Sequence, residues 1–172
     1  MYLNRKIFFS LMPCALLLVS ILNSCGVYKF KDVSIPTDVK TIKVNYIENR
    51  AQYVNPQLSP KLSDKLRQKI VSQTRLSQTN NDNADWEVSG SIQSYLVSTS
   101  GISGQQETTN RLTVTVHITL LKRKLEKTEE YDVNHSFEFS ASKSLQQAET
   151  ELNDEMIRTL TDDIFNRLFS QW

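Results

Sequence analysis

The chain has 172 residues, of which 39% are hydrophobic and 23% are charged, with only 4 glycines and 4 prolines. This composition is typical of one compact globular domain and excludes disordered, collagen-like and multi-span membrane chains. The 20 basic and 19 acidic residues give a formal charge of +1, and a chain this balanced is a poor candidate for non-specific nucleic-acid binding.

The first 24 residues have the pattern of a secretory signal. Arg5 and Lys6 precede an uncharged apolar run, Ile7–Leu22, which contains Pro13. The alternative is a retained transmembrane helix, but the run is shorter than the roughly 20 residues that span a bilayer. We therefore predict that residues 1–24 are a cleaved signal peptide.

The signal ends in Leu22-Asn23-Ser24-Cys25, which resembles the lipobox of bacterial lipoproteins, whose cysteine becomes acylated after cleavage at its amino side. The alternative is an ordinary signal with a chance cysteine. Cleavage would also remove Cys14, leaving one cysteine, so a disulfide framework or a cysteine-ligated zinc site is excluded. We predict that Cys25 carries lipid and anchors the chain. The absence of aspartate just after Cys25 resembles lipoproteins of the outer membrane, here on its periplasmic side.

The mature chain would begin with a tether, residues 25–38, followed by a single domain, residues 39–172. Removal of Arg5 and Lys6 leaves 18 basic and 19 acidic residues, a formal charge of −1. Thr41–Ile47 alternates apolar and polar residues and predicts a first strand. Ser59 before Pro60 predicts the start of an amphipathic helix that runs to about Arg75, and the polar segment 74–85 predicts a loop.

Three further strands follow, each indicated by alternation. They are Trp86 to about Ser98, Leu112–Leu120 and Tyr131–Phe139, with breaks at 101–110 and 122–130. Ser144 with Gln147 three residues later is a capping-box pattern, and the apolar spacing after it predicts a long helix toward Trp172.

The resulting order, β-α-β-β-β-α, predicts an α+β two-layer sandwich. A mixed four-stranded sheet would carry both helices on its apolar face. The opposite face would present mainly neutral hydrogen-bonding side chains. It is either an ordinary solvated face or a surface for a polar enclosed environment such as the water-filled interior of an outer-membrane β-barrel. The residues that we predict to face a partner are Ser89, Ser91, Gln93, Thr113, Thr115, His117, Thr119, Asn134 and Ser136.

Catalytic and metal sites are not indicated. The strand alternation places His117 and His135 on opposite faces, so that they cannot share a ligand, and no phosphate loop or nucleophile elbow is present in the sequence. We predict a non-enzymatic protein without cofactor or metal. The remaining chemical feature is a set of basic residues near strand ends, suited to phosphate, although such residues also serve solubility: Arg111, Lys122, Arg123, Lys124 and Lys127.

The mature chain resembles the LptE family of lipopolysaccharide-assembly lipoproteins in its Bacteroidetes form. The resemblance is carried, in order, by Cys25–Tyr28, Ser34–Pro36, Val54–Pro56, Asn110–Val116 and Asp163–Trp172. It implies a lipoprotein that plugs the LptD β-barrel, assists assembly of the barrel and binds lipopolysaccharide on its way to the outer leaflet. The five basic residues above are then candidate lipopolysaccharide contacts. The alternatives are an acyl-chain carrier and an envelope lipoprotein that activates or scaffolds another envelope protein.

Overall fold

The computed structural model describes residues 35–103 and 106–170. The predicted signal peptide, the lipidated Cys25 and most of the tether lie outside the described residues. The described part contains five strands and two long helices. In chain order they are β1 (Thr41–Asn49), α1 (Leu58–Gln73), β2 (Ser77–Gln78), β3 (Trp86–Ser103), β4 (Gln106–Lys122), β5 (Lys127–Ser140) and α2 (Leu145–Phe169).

The strands form one mixed sheet in the order β2-β1-β3-β4-β5. β1 runs parallel to β2 and β3, whereas β3, β4 and β5 are antiparallel neighbours. The predicted mixed sheet with two helices is thus confirmed. The prediction of four strands was wrong by one, because a two-residue edge strand is too short to show alternation. It forms when the Ser77 N–H donates to Lys40 O at 2.8 Å and the Thr79 N–H donates to Ile42 O at 2.9 Å.

One face of the sheet forms the hydrophobic core with both helices. Alternate residues of the strands are buried there, including Ile42, Val88 and Val116, and they join one cluster with Leu66 of α1 and Leu160 of α2. The period of two in the strands and of nearly four in the helices aligns these apolar faces. The core therefore occupies the layer between sheet and helices and leaves the other sheet face open.

The predicted start of α2 is confirmed, whereas the predicted start of α1 is wrong. The Ser144 hydroxyl accepts from the Gln147 N–H at 3.3 Å, and the Gln147 side chain accepts from the Ser144 N–H at 2.9 Å, so the capping box is formed. Helix α1 instead begins at Leu58, before the predicted Ser59 cap. Ser59 is buried because the helix turns it inward, and Asn55 Oδ1 accepts from the Gln57 N–H at 2.9 Å.

The strands extend beyond the predicted segments. β3 and β4 continue through most of the predicted break at 101–110 as a long hairpin, with Ser103 paired to Gln106. At the other end of β4, a single 3-10 turn at Arg123–Leu125 leads into β5, which starts four residues before the predicted Tyr131. Polar residues obscured both extensions, since hairpin backbones pair regardless of side-chain polarity.

Candidate functional site: the open face of the sheet

The open face carries the nine predicted partner-facing residues together. Cross-strand register places Ser89 opposite Thr119 and Ser91 opposite His117, and it places Thr113 and Thr115 opposite Ser136 and Asn134. Gln93 joins them because its Nε2 donates to Ser91 Oγ at 2.9 Å. The sequence thus predicted the composition of this surface, while its contact with a partner stays a prediction.

The polar groups of the face bond to one another across the strands. Thr113 Oγ1 and Ser136 Oγ lie 2.9 Å apart, and Asn134 Nδ2 donates to Thr115 Oγ1 at 3.3 Å. Cross-strand hydroxyl pairs of this kind stabilise a sheet without requiring a charge. The centre of the face is therefore nearly neutral and already hydrogen-bonded.

Two bulges alter the face in ways that alternation alone does not predict. A register shift after Ile92 places Ser94 opposite Thr115 and Leu96 opposite Thr113, so that Leu96 is 59% exposed on the open face. A second shift between Val44 and Ile47 leaves Tyr46 51% exposed. The adjacent polar residues Gln93 and Ser94 were the one sequence signal of the first bulge, because they interrupt the alternation.

A shallow depression of about 650 Å³ extends over β1, β3 and β4 on this face. Gly90 is one of its lining residues, and a Cβ atom there would approach both the His117 carbonyl oxygen and Ile118 Cδ1 to 2.6 Å. Tyr46 and the ion pair Glu48–Arg50, 2.8 Å apart, lie at its border. Most of the residues that line the depression are neutral and polar.

The two histidines lie on opposite faces. His117 Nδ1 contacts Asp132 Oδ1 at 2.7 Å on the open face, whereas His135 Nδ1 contacts Asp163 Oδ2 of α2 at 2.9 Å on the helix side. Among the described residues, no group of three or more histidine, cysteine or acidic side chains is arranged to hold a metal ion.

Each of the five basic residues predicted to bind phosphate has a carboxylate partner. Arg111 bonds Glu138 at 3.0 Å at the hairpin side of β4, away from the other four. The remaining contacts are Lys122–Glu129 at 2.7 Å, Lys127–Glu129 at 2.9 Å, Arg123–Glu87 at 3.0 Å and Lys124–Asp85 at 3.1 Å. A phosphate would have to replace these carboxylates, and phosphate binding stays a prediction.

Asp85 and Glu129, the carboxylate partners of Lys122, Lys124 and Lys127, have lowered pKa values. The backbone N–H groups of Lys40 and Thr41 donate to Asp85 Oδ2 at 2.8 and 3.0 Å, and these bonds hold its pKa well below the ordinary range. Burial by itself raises the pKa of Glu129, but hydrogen bonds from Lys122, Lys127 and Tyr131 outweigh it and lower the pKa to about 2. Both groups are therefore charged parts of the structure at neutral pH.

Neither helix in the described ranges is long and apolar enough to cross a membrane.

Comparison with known proteins gives one family and a set of similar folds. The model of the family described as LptE, lipopolysaccharide-assembly, matches residues 39–168. A hypothetical protein from Chlamydia trachomatis has a TM-score of 0.50 at 10% sequence identity, over 77% of this chain and 99% of that chain. This similarity shows a shared fold.

Two lipoproteins of solved structure are similar at lower TM-scores. Rare lipoprotein B from Shewanella oneidensis has a TM-score of 0.47 at 9% identity, over 72% of this chain and 89% of that chain. A minor lipoprotein from Acinetobacter baumannii has a TM-score of 0.45 at 16% identity, over 74% of this chain and 94% of that chain. No curated protein sequence matches the chain.

Proposed function

Since the chain belongs to the LptE lipopolysaccharide-assembly family, we propose that it acts as the lipoprotein partner and plug of an LptD-type β-barrel in the outer membrane. The family is defined by an assembly role, and the proposed work of this chain is binding and not catalysis. The observation that carries the proposal is the neutral, hydrogen-bonded open face of the sheet.

The chemistry of that face suits the interior of a large barrel. The inner wall of such a barrel is polar and wet, so a matching surface needs hydrogen-bonding groups and few unpaired charges. Thr113, Thr115, Ser136 and Asn134 provide this at the centre, while Leu96 and Tyr46 add exposed apolar area that a partner would cover. Aromatic and apolar residues within a polar rim are typical of protein interfaces.

The test is capture of the barrel by the tagged full chain from solubilised outer membranes. We expect a large β-barrel protein in near one-to-one amount, identified by mass spectrometry. Recovery of a soluble periplasmic enzyme instead would favour the activator alternative, and recovery of neither protein would show that the proposal is wrong.

A matched pair of charge variants tests the face itself. Thr115→Arg puts a guanidinium at the centre of the open face, and Gln68→Arg puts the same group on the exposed side of α1. Burial of an uncompensated charge in an interface costs several kcal/mol, so we expect Thr115→Arg to lower barrel recovery at least about tenfold and Gln68→Arg to leave it unchanged. Equal recovery by both variants would place the interface elsewhere.

We further propose that Cys25 carries the lipid anchor that holds the domain on the periplasmic side of the outer membrane. Several acyl chains, at about 0.8 kcal/mol per buried methylene, anchor a domain durably. Intact mass spectrometry of the chain purified from the outer membrane should show a polypeptide that begins at Cys25 and carries the mass of the acyl groups, and Cys25→Ser should lack that added mass. An unaltered chain without acyl groups, or acyl groups retained by Cys25→Ser, would contradict the anchor.

Arg111, Lys122, Arg123, Lys124 and Lys127 remain our proposed lipopolysaccharide-phosphate contacts. A phosphate could bind to them only by displacing their carboxylate partners. The more exposed side chains, Lys127 at 62% and Lys124 at 47%, can exchange partners more easily than Lys122 at 19%. Lipopolysaccharide binding should therefore weaken more in Lys127→Gln than in Lys122→Gln, measured by retention on immobilised lipopolysaccharide, and the reverse order would contradict this assignment.

A further inference from the structure

A second concave site lies away from the open face, between the loop after β1 and the N-terminal half of α2. It is a cleft of about 500 Å³. Helix α1 forms part of its wall, where Lys61 Nζ donates to Asn153 Oδ1 of α2 at 3.2 Å. The cleft thus lies on the helix side of the molecule, where the proposed barrel contact makes no use of it.

Tyr53 is the aromatic residue that lines this cleft. Tyr53 stacks on Tyr95 of β3, with ring centroids 5.3 Å apart and planes inclined by 25°. Tyr95 is only 4% exposed, whereas Tyr53 is 43% exposed. Since one face of the Tyr53 ring is occupied by Tyr95, its exposure belongs to the other face and the edge. The cleft therefore has a flat apolar surface on a rigid support.

The support is a hydrogen-bonded cluster around Glu149. The Tyr95 hydroxyl donates to Glu149 Oε1 at 2.8 Å, Asn55 Nδ2 donates to the same oxygen at 3.2 Å, and the Tyr53 hydroxyl donates to Oε2 at 3.2 Å. Three donors satisfy this carboxylate. Burial, followed by the nearby carboxylate, raises the pKa of Tyr53, so that its hydroxyl stays protonated as a donor. These hydrogen bonds hold the Tyr53 ring in place, and the Glu149 carboxylate in the cleft is hydrogen-bonded.

The other lining groups are short polar side chains. Amides and a hydroxyl come from Gln57, Gln146, Asn153 and Thr150, and Lys61 is the one cation among the described lining residues. An apolar ligand would leave these amides unpaired, and a phosphate would meet one lysine together with a carboxylate. The lining instead matches a ligand with one apolar face and a rim of hydroxyl groups.

We propose that this cleft binds a saccharide ring, with the exposed face of Tyr53 against the C–H face of the sugar and the surrounding amides on its hydroxyls. This assignment goes beyond the barrel partnership and does not depend on it. Two envelope glycans contain suitable sugars: the oligosaccharide of lipopolysaccharide and the disaccharide units of peptidoglycan. The ring and the amides recognise the chemistry that both share, and the experiment separates the sources.

The test is binding of lipid-free sugars to the purified full chain in detergent, followed by saturation-transfer NMR. One arm uses core oligosaccharide released from lipopolysaccharide by mild acid, and the other uses disaccharide peptides released from peptidoglycan by a muramidase. We expect one of them to bind. Tyr53→Ala should weaken that binding about tenfold, and Tyr53→Phe should change it less than about twofold because the ring is kept.

Tyr46→Ala is the matched control, because it removes a tyrosine of comparable exposure from the open face. It should bind sugar like the unaltered chain. Gln146→Ala, an exposed substitution on α2, provides a second variant in the cleft if Tyr53→Ala unfolds, and it should weaken binding severalfold. Binding of neither sugar, or equal binding by the cleft variants and Tyr46→Ala, overturns the proposal. Barrel capture by Tyr53→Ala is expected to stay normal in every case, which separates this result from the test of the proposed function.

Discussion

At the scale of single residues, Gly90 and Asp85 both help to hold the strands of the sheet together, and neither is indicated by alternation. Gly90 leaves room for β4, whose His117 carbonyl oxygen lies close to it. Asp85 joins the starts of β1 and β3 by accepting from the Lys40 and Thr41 N–H groups and from Thr41 Oγ1. Both residues contact the backbone of another strand, and the pattern of polar and apolar residues along one strand does not indicate such contacts.

Gly90→Ala is expected to destabilise the domain by about 1–3 kcal/mol, because the new methyl group would overlap the His117 carbonyl and Ile118 and force the strands apart. Urea unfolding followed by circular dichroism measures the loss. Ser89→Ala, at the neighbouring half-buried position, is the control and should change stability little. An unaltered midpoint for Gly90→Ala would contradict the close approach.

Glu129 gives a pH-dependent prediction. Its pKa of about 2 in the folded chain lies below the ordinary 4.5, so as pH falls the unfolded chain takes up this proton first. The associated stability is complete above about pH 5 and is lost as the pH falls toward 2. Glu129→Gln should therefore make the fall of the urea midpoint between pH 5 and 2.5 shallower. The exposed Glu155→Gln should retain the original slope, and equal slopes in both variants would exclude this assignment.

At the scale of elements, the sequence predicts β1, the three long strands, both helices and the capped start of α2, but not most of the other ends. Val114 and Val116 alternate with Thr113 and Thr115 because one side faces the core, which is a local signal. The bulge at Gln93, the edge strand β2 and the start of α1 depend on contacts between distant segments. The sequence does not reveal the carboxylate partners of the basic residues for the same reason. Arg123, for example, contacts Glu87, which lies 36 residues earlier in the chain.

The capping box of α2 supplies the prediction at this scale. Ser144→Ala removes the acceptor for the Gln147 N–H and is expected to cost about 1 kcal/mol. This loss of stability would be measured as a lower midpoint of urea unfolding. Ser72→Ala removes another exposed helix hydroxyl, one that donates to Lys69 O without capping a helix start, and should not destabilise the domain. A loss shared by both variants would show that capping is not the cause.

At the scale of the whole molecule, the sheet has two dissimilar ends. The described chain enters at Ile35 beside the starts of β1 and β3, where Lys124 contacts Asp38 and Asp85. The end of β3 and the beginning of β4 lie at the opposite end. The 18 residues of β3, at about 3.3 Å each, make this strand at most about 60 Å long.

The outer part of the β3–β4 hairpin should be dispensable for folding. β1 pairs with β3 only as far as Ile92, and β5 pairs with β4 only from Thr109, so the pairs Ile102–Glu107 and Ser103–Gln106 connect the hairpin strands to each other alone. Replacing residues 102–108 by Asn-Gly is expected to change the free energy of unfolding by less than about 1 kcal/mol. A loss of several kcal/mol in urea unfolding would contradict this independence.

The parallel pairing of β1 with β3 also has a consequence for the order of folding. Ile42 has its strand partner at Trp86, whereas β3, β4 and β5 pair through short turns. Local hairpins close quickly, and pairing over a long separation has to overcome a larger loss of chain entropy. In a chain that emerges amino end first, β1 and α1 are therefore complete before β3, β4 and α2 have appeared. Until then the apolar side chains that these later elements cover are open to non-native contacts, and we expect aggregation to compete with folding in this interval.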